Sequence, residues 1–176
     1  MIEISWFGRG GQGAFTAARL LANAYVLKGG ERYALAFPTF GPERRGAPVR
    51  AFSKLSESRI ADRGEIERSD FAVFLDDSLF DAGAPPVLKE GGRVIVNTSK
   101  SYDGDTVVTI DAAGIAQRTL GLPIVNTVLI GAIAALSPAL APDEIDLSIE
   151  RNMPERLWAG NKAAVRAALD AAGGAA

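Results

Sequence analysis

The chain contains no cysteine and no histidine among its 176 residues. Without cysteine it can form no disulfide, no thiolate zinc site and no cysteine-ligated iron–sulfur cluster. Without histidine it lacks the commonest general base and the commonest transition-metal ligand. Asp, Glu, Lys and Tyr remain for acid–base work, yet a chain short of both residues reads better as a binding or assembly module than as a complete enzyme. Long apolar runs are missing too: none nears the roughly 20 residues that span a bilayer. The opening MIEISWFGRGGQG has no basic region followed by an apolar one, the mark of a secretion signal. Charge is nearly balanced, at −2 overall, which points to neither nucleic acid nor a membrane surface as partner. The expected compartment is the cytoplasm.

What is present suits one globular domain: 48% hydrophobic and 23% charged residues, in a chain long enough for one sizeable core. MIEISWF reads as a strand stopped by glycine. In the following AFTAARLLANAYVLKGG, Ala17, Leu20, Leu21, Ala24 and Tyr25 recur at helical spacing, and Gly29-Gly30 end the helix. Arg32–Phe37 reads as a second strand and Pro48–Ser56 as a third, placed at a sheet edge by its leading proline. Asp70–Asp76 is a continuous apolar run of the buried-strand kind. A short helix at DSLFD, strands at Arg93–Asn97 and Thr106–Ile110, and a helix capped by Asp111 and running to about Leu120 come next. Asn126–Leu136 is a markedly apolar helix, and APDEIDLSIERN and MPERLWAGNKAAVRAALDAA supply two more. The alternation predicts a single α/β domain over residues 1–172: a mostly parallel sheet with a Rossmann-like start, covered by helices on both faces. Residues 173–176 are expected to fray.

Two stretches carry chemistry. GRGGQG places Gly8, Gly10 and Gly13 in a G-x-G-x-x-G pattern between a strand and a helix, the context in which that pattern has meaning. Glycines permit a sharp turn and close approach of a ligand, and the helix N-terminus offers free N–H groups to a phosphate or carboxylate. Arg9 can add a cation and Gln12 an amide donor. A dinucleotide site also wants an acid at the end of the second strand, and Ala36 and Phe37 stand there instead. Close strand–helix packing without any ligand explains the glycines equally well.

The second stretch is FPTFGPERRGAPVRAF, Phe37 to Phe52. Pro38, Pro42 and Pro48 stiffen it, with Gly41 and Gly46 as joints between them. Arg44 and Arg45 are forked donors suited to carboxylate or phosphate. Phe37 and Phe40 have the character of interface anchors, and Glu43 can pair with an arginine. A merely solvated loop would need none of this stiffness.

GRGGQG, FPTFGPERRGAPVRAF and the later NTVLIGA together resemble the gamma subunit of 2-oxoacid:acceptor oxidoreductases, the pyruvate:ferredoxin oxidoreductase group, from Ile2 to about Trp158. The resemblance implies an α/β subunit of a complex that decarboxylates a 2-oxoacid on thiamine diphosphate and passes the acyl group to coenzyme A. Electrons leave through iron–sulfur clusters to ferredoxin or to a flavin- or NAD-linked acceptor subunit. Thiamine diphosphate, Mg and the clusters belong to alpha, beta and delta-type partners, and this chain supports assembly and the coenzyme A side of the active site. The residues carried over are Gly8, Arg9, Gly10, Gly11, Gln12, Gly13 and Asn126 as cofactor-binding. Phe40, Gly41, Pro42, Glu43, Arg44 and Arg45 form the interface or anion-binding loop. No catalytic residue and no metal ligand is assigned. Pyruvate is the expected acid, with branched-chain and aryl 2-oxoacids open.

The two loops are expected to converge on one surface, because strand ends feed both. Asp76 and Asp77 are read as a helix cap, Trp6 and Trp158 as packing residues, and Lys162 and Arg166 as a solvated helix face. A free-standing nucleotide-binding reductase and a pure scaffold remain the competing readings.

Overall fold

A six-stranded sheet with order β2-β3-β1-β4-β5-β6 forms the centre of the molecule. The computed structural model describes residues 1–39, 45–81, 83, 85–102 and 104–173. The strands are β1 (Ile2–Arg9), β2 (Tyr33–Pro38), β3 (Pro48–Ser56), β4 (Ser69–Phe74), β5 (Leu88–Asn97) and β6 (Val107–Ile110). β1, β4, β5 and β6 pair in parallel, while β3 runs antiparallel between β1 and β2. The helices are α1 (Ala14–Leu27), α2 (Ala112–Leu120), α3 (Asn126–Leu136), α4 (Pro142–Asn152) and α5 (Trp158–Gly173).

The alternation of each strand sorts its side chains between two unequal layers. Ile4 and Trp6 of β1, Leu55 of β3, Val73 of β4 and Ile95 of β5 point to one face and join residues of all five helices in the main core. Full burial of each such aliphatic side chain stabilises the fold by roughly 1.5–3 kcal/mol. The opposite face carries a smaller cluster of Ala72, Phe74, Val94 and Val96, covered by Phe80, Leu79 and Tyr102 from connecting segments. Its aromatic rings run in a chain: Phe7 stacks on Phe74 at 4.5 Å, Phe74 meets Phe80 at 5.2 Å, and Phe80 meets Tyr102 at 5.1 Å.

The expected two-faced helical cover is thus corrected: among the described residues no α-helix packs on the second face. Handedness explains where the connections go. A right-handed β1-to-β2 crossover moves one way along the sheet and puts α1 on the first face. The steps from β4 to β5 and from β5 to β6 move the other way, so their connections cross the second face. Among the described residues those connections are loops, with a single 3-10 turn at Asp77–Leu79 where the sequence suggests a short helix.

Other expectations need smaller changes. β3 keeps its expected span but is interior; β2 forms the edge, and Pro48 is tolerated because it is the first residue of its strand, opposite Arg9. β5 begins five residues earlier than expected, at Leu88, and passes Gly91 at φ 72°. Asp111 caps α2 as predicted, accepting from the Gly114 N–H at 2.8 Å. Lys162 and Arg166 do not simply face solvent: Lys162 pairs with Glu150 and Arg166 with Asp146 at 2.9 Å, tying α5 to α4. Gly173 is the last residue of α5, and the rest of the expected frayed tail, 174–176, lies outside the described residues. No helix among the described residues is long and apolar enough to cross a membrane.

Candidate functional site at the carboxyl edge of the sheet

The connections after β1 and β4 leave toward opposite faces, so a crevice opens between these neighbouring parallel strands at their carboxyl ends. Such a switch point is where open α/β sheets bind ligands. The glycine loop forms one lip. Gly13, at φ 84°, is the N-cap of α1 and offers no side chain to its free N–H groups. On the far side Asn126 opens α3, whose N-cap Val125 also gives no side-chain hydrogen bond. Two helix N-termini with unfilled donors therefore share one cleft of about 560 Å³, lined by Gly11, Gln12, Gly13, Asn97 and Asn126 among others. Pro123 and the exposed Ile124 give the cleft an apolar rim.

Asn126 is 93% buried, counting its 7% exposure, and its Oδ1 has no hydrogen-bond partner among the described residues. Buried polar atoms are nearly always paired, so an orphaned amide oxygen at such a cleft is a group prepared for something else. Asn97, by contrast, is fully used: its Nδ2 donates to the Leu75 carbonyl at 2.9 Å and its Oδ1 accepts from the Ala113 N–H at 3.1 Å. It locks β5, β4 and the start of α2 into one wall.

The glycine loop is held by side chains whose roles the sequence left open. Gln12 turns inward: its Oε1 accepts from the Arg9 N–H at 2.7 Å, and its Nε2 donates to Asp76 at 2.9 Å. Arg9 is not a cation turned to the cleft. Its guanidinium sits 3.2 Å from Asp76 and also donates to Ser78 at 2.7 Å and to the Gly46 carbonyl at 3.2 Å. Asp76 caps the 3-10 turn, as expected, by accepting from the Ser78 N–H at 3.0 Å. The hydrogen bond from Ser78 is the main cause holding its carboxyl below the ordinary value of 3.8, with Gln12 and Arg9 adding to it. Asp77 is bound to Lys100 at 2.9 Å and to Thr98 at 3.0 Å, which lowers it likewise. The signal for Asp76 in the sequence was its place at the end of β4, beside the glycine loop of a parallel neighbour.

The β2–β3 hairpin meets the same loop. Gly10 donates to the Ala47 carbonyl at 2.8 Å and accepts from the Gly46 N–H at 3.0 Å, extending the β1–β3 ladder past its last regular pair. Arg45 is exposed at the hairpin's return. Phe40, Gly41, Pro42, Glu43 and Arg44, the rest of the expected anion-binding loop, lie outside the described residues. Phe37 packs on Phe52 at 5.2 Å, and Arg50 lies over the Phe52 ring at 5.6 Å. Trp6 and Trp158 are packing residues: Trp6 is fully buried with Nε1 donating to Ser53, and Trp158 donates to the Met153 carbonyl. A dinucleotide site fits poorly on topology as well as sequence. β2 is two positions from β1, with antiparallel β3 between, so its end is far from the place of the ribose-binding acid.

Comparison with known proteins agrees with this architecture. Residues 3–171 match the family described as pyruvate ferredoxin/flavodoxin oxidoreductase. The chain is 43% identical over 173 residues to the pyruvate synthase subunit PorC of Methanothermobacter thermautotrophicus, covering 97% of this chain and 95% of that protein. It is 41% identical over 180 residues to the pyruvate/ketoisovalerate oxidoreductases common subunit gamma of Pyrococcus abyssi, covering 97% and 96%. The crystal structure of the pyruvate oxidoreductase subunit PORC of Thermotoga maritima superposes with a TM-score of 0.83 at 32% identity, over 97% of this chain and 96% of that one. The chain belongs to the pyruvate ferredoxin/flavodoxin oxidoreductase family, as a gamma subunit of a 2-oxoacid oxidoreductase.

Proposed function

We propose that this gamma subunit works in a cytoplasmic complex that oxidatively decarboxylates pyruvate to acetyl-coenzyme A, and that its glycine-loop cleft receives coenzyme A. The single observation carrying the second part is the buried, unpartnered Oδ1 of Asn126 between two helix N-termini without side-chain caps. Free N–H groups and positive dipole ends suit phosphate oxygens, and the Asn126 carboxamide suits a polar group beside them. The apolar rim of Pro123 and Ile124 suits a ligand that is only partly polar. Thiamine diphosphate, Mg and iron–sulfur clusters fall to alpha, beta and delta-type partners, since this chain has no cysteine to ligate a cluster. Electrons released in the oxidation then pass to ferredoxin or to a flavin- or NAD-linked acceptor subunit.

Branched-chain 2-oxoacids form the second reading, favoured by the Pyrococcus abyssi relative whose name makes it common to pyruvate and ketoisovalerate oxidoreductases. Affinity purification of a tagged chain from its native host, followed by assay against pyruvate, 2-ketoisovalerate and phenylglyoxylate with coenzyme A, tests both. Oxidation of pyruvate by the recovered complex supports the first reading, and a preference for 2-ketoisovalerate moves it to the second. A chain recovered alone, without 2-oxoacid oxidation, sinks both.

A further inference from the structure

Asp76 stands where the glycine loop and the connection after β4 meet, one step through Arg9 from the β2–β3 hairpin. It begins the connection leaving β4, two residues past Phe74, yet its contacts with Arg9 and Gln12 reach the end of β1 and the loop leaving it, more than sixty residues earlier in the chain. One carboxylate oxygen, Oδ2, accepts from Gln12 Nε2 at 2.9 Å and lies 3.2 Å from Arg9 Nε. The other, Oδ1, accepts from the Ser78 N–H and hydroxyl at 3.0 and 2.5 Å. Arg9 then carries the connection onward, donating to the Gly46 carbonyl of the hairpin at 3.2 Å.

We propose that Asp76 is a positioning residue for the glycine-loop cleft. Its carboxylate fixes the rotamer of Gln12, whose Oε1 in turn holds the Arg9 N–H and so the turn from which Gly11 and Gly13 present their backbone N–H groups. Through Arg9 it also sets the hairpin against Gly10. Asp76 is only partly exposed, with 19% of its side chain accessible, so these hydrogen bonds are shielded enough to orient and not merely to neutralise. It touches no ligand in this role. A carboxylate is needed because it accepts from the Gln12 amide and both Ser78 donors while it supplies the counter-charge to the Arg9 guanidinium. Asparagine at this position would keep an acceptor but lose the ionic partner of Arg9.

The effect on coenzyme A rests on the reading of the cleft given above, so the test separates the two. In the complex purified through a tagged copy of this chain, Asp76→Ala is expected to speed amide exchange in peptides covering residues 8–13 and 45–49. It is also expected to raise the KM for coenzyme A roughly tenfold while kcat changes little, because misplaced binding groups weaken ligand positioning before they touch the chemistry. Asp76→Asn should recover part of the KM, and it carries the test if Asp76→Ala does not assemble. Asn126→Ala serves as the probe of the cleft itself. A raised coenzyme A KM in Asn126→Ala, with exchange and KM unchanged in both Asp76 variants, overturns the positioning role and leaves the cleft reading standing. Faster loop exchange in Asp76→Ala, with the coenzyme A KM unmoved by Asn126→Ala, supports the positioning role and discards the cleft reading.

Discussion

Asn126 lies against the backbone of Gly13: a Cβ built on Gly13 would stand 2.4 Å from the Asn126 Nδ2. Two residues more than a hundred positions apart thus meet at the point where α1 and α3 both begin. Glycine is needed at this position twice over, for its left-handed φ of 84° and for the space a side chain would take from the carboxamide.

Gly13→Ala should therefore destabilise the chain by about 1–2 kcal/mol from backbone strain alone, with a further steric cost from Asn126. Thermal denaturation of Gly13→Ala, Asn126→Ala and the double variant separates the two contributions. The double variant is expected to regain the steric part and keep the strain. A Gly13→Ala protein as stable as the parent would refute the close approach.

Asn126→Ala removes a buried polar atom that has no partner among the described residues, a kind of atom whose presence costs about 1–3 kcal/mol. The expected outcome is a melting temperature equal to or above that of the parent chain, together with weaker use of coenzyme A by the complex. A clear drop in melting temperature would mean that Asn126 serves the fold.

Gly131 marks a close approach of α3 to α5, where an added Cβ would lie 2.5 Å from the Val165 carbonyl and 2.9 Å from the Ala168 Cβ. Alanine is the better helix former by about 1 kcal/mol, but overpacking a fixed backbone costs about 1–3 kcal/mol. Gly131→Ala should lower the urea midpoint despite the gain in propensity. A raised midpoint would show that the helices can part cheaply.

Ser53 relays a buried hydrogen bond from β1 to α1: it accepts from Trp6 Nε1 at 3.0 Å and donates to the Ala18 carbonyl at 3.1 Å. Ser53→Ala strands the indole N–H in the core, at a cost of about 1–3 kcal/mol. Chemical denaturation followed by tryptophan fluorescence reads this directly, and an unchanged free energy would require another partner for Trp6.

Asp62, Asp76 and Asp77 are all held below the ordinary carboxylate value of 3.8, by Lys54, Ser78 and Lys100 in first place respectively. A carboxyl depressed on folding contributes stability above its unfolded pKa, and that contribution is lost as pH falls through the folded value. Stability should hold at neutral pH and fall below about pH 4. The gap between the parent and Asp76→Asn should be widest at neutral pH and close in acid. A gap that does not narrow in acid would count against the Asp76 carboxylate as its source.

Much of this was legible from local pattern. Asn126–Leu136 and Pro48–Ser56 fall at their expected limits, because an apolar helix and a strand between turn residues each announce themselves within a short window. The Asp111 cap was readable for the same reason. The place of β3 was not: proline suggested an edge, and only the pairing of β2 beyond it makes the strand interior. The loop-covered second face, without an α-helix among the described residues, could not be read either, since it depends on the direction in which each crossover moves. At the site, the glycine pattern led to a loop that lines the cleft, while Arg9 turns to Asp76. Its charge is visible in sequence, whereas its partner Asp76 comes from a distant strand end that only the parallel pairing of β1 and β4 brings close.

The exchange of hydrogen bonds between Gly10 and the Gly46–Ala47 pair also makes chain length a fixed quantity on both sides of the cleft lip. Strand alternation from Ile2 to Arg9 is matched residue for residue against β3, and Gly10 is then clasped by Gly46 and Ala47 together. A single residue inserted within 8–13 or 46–49 would slip that register and turn neighbouring side chains to the wrong face. Substitution is therefore the route by which this lip can vary, and insertion or deletion is closed to it.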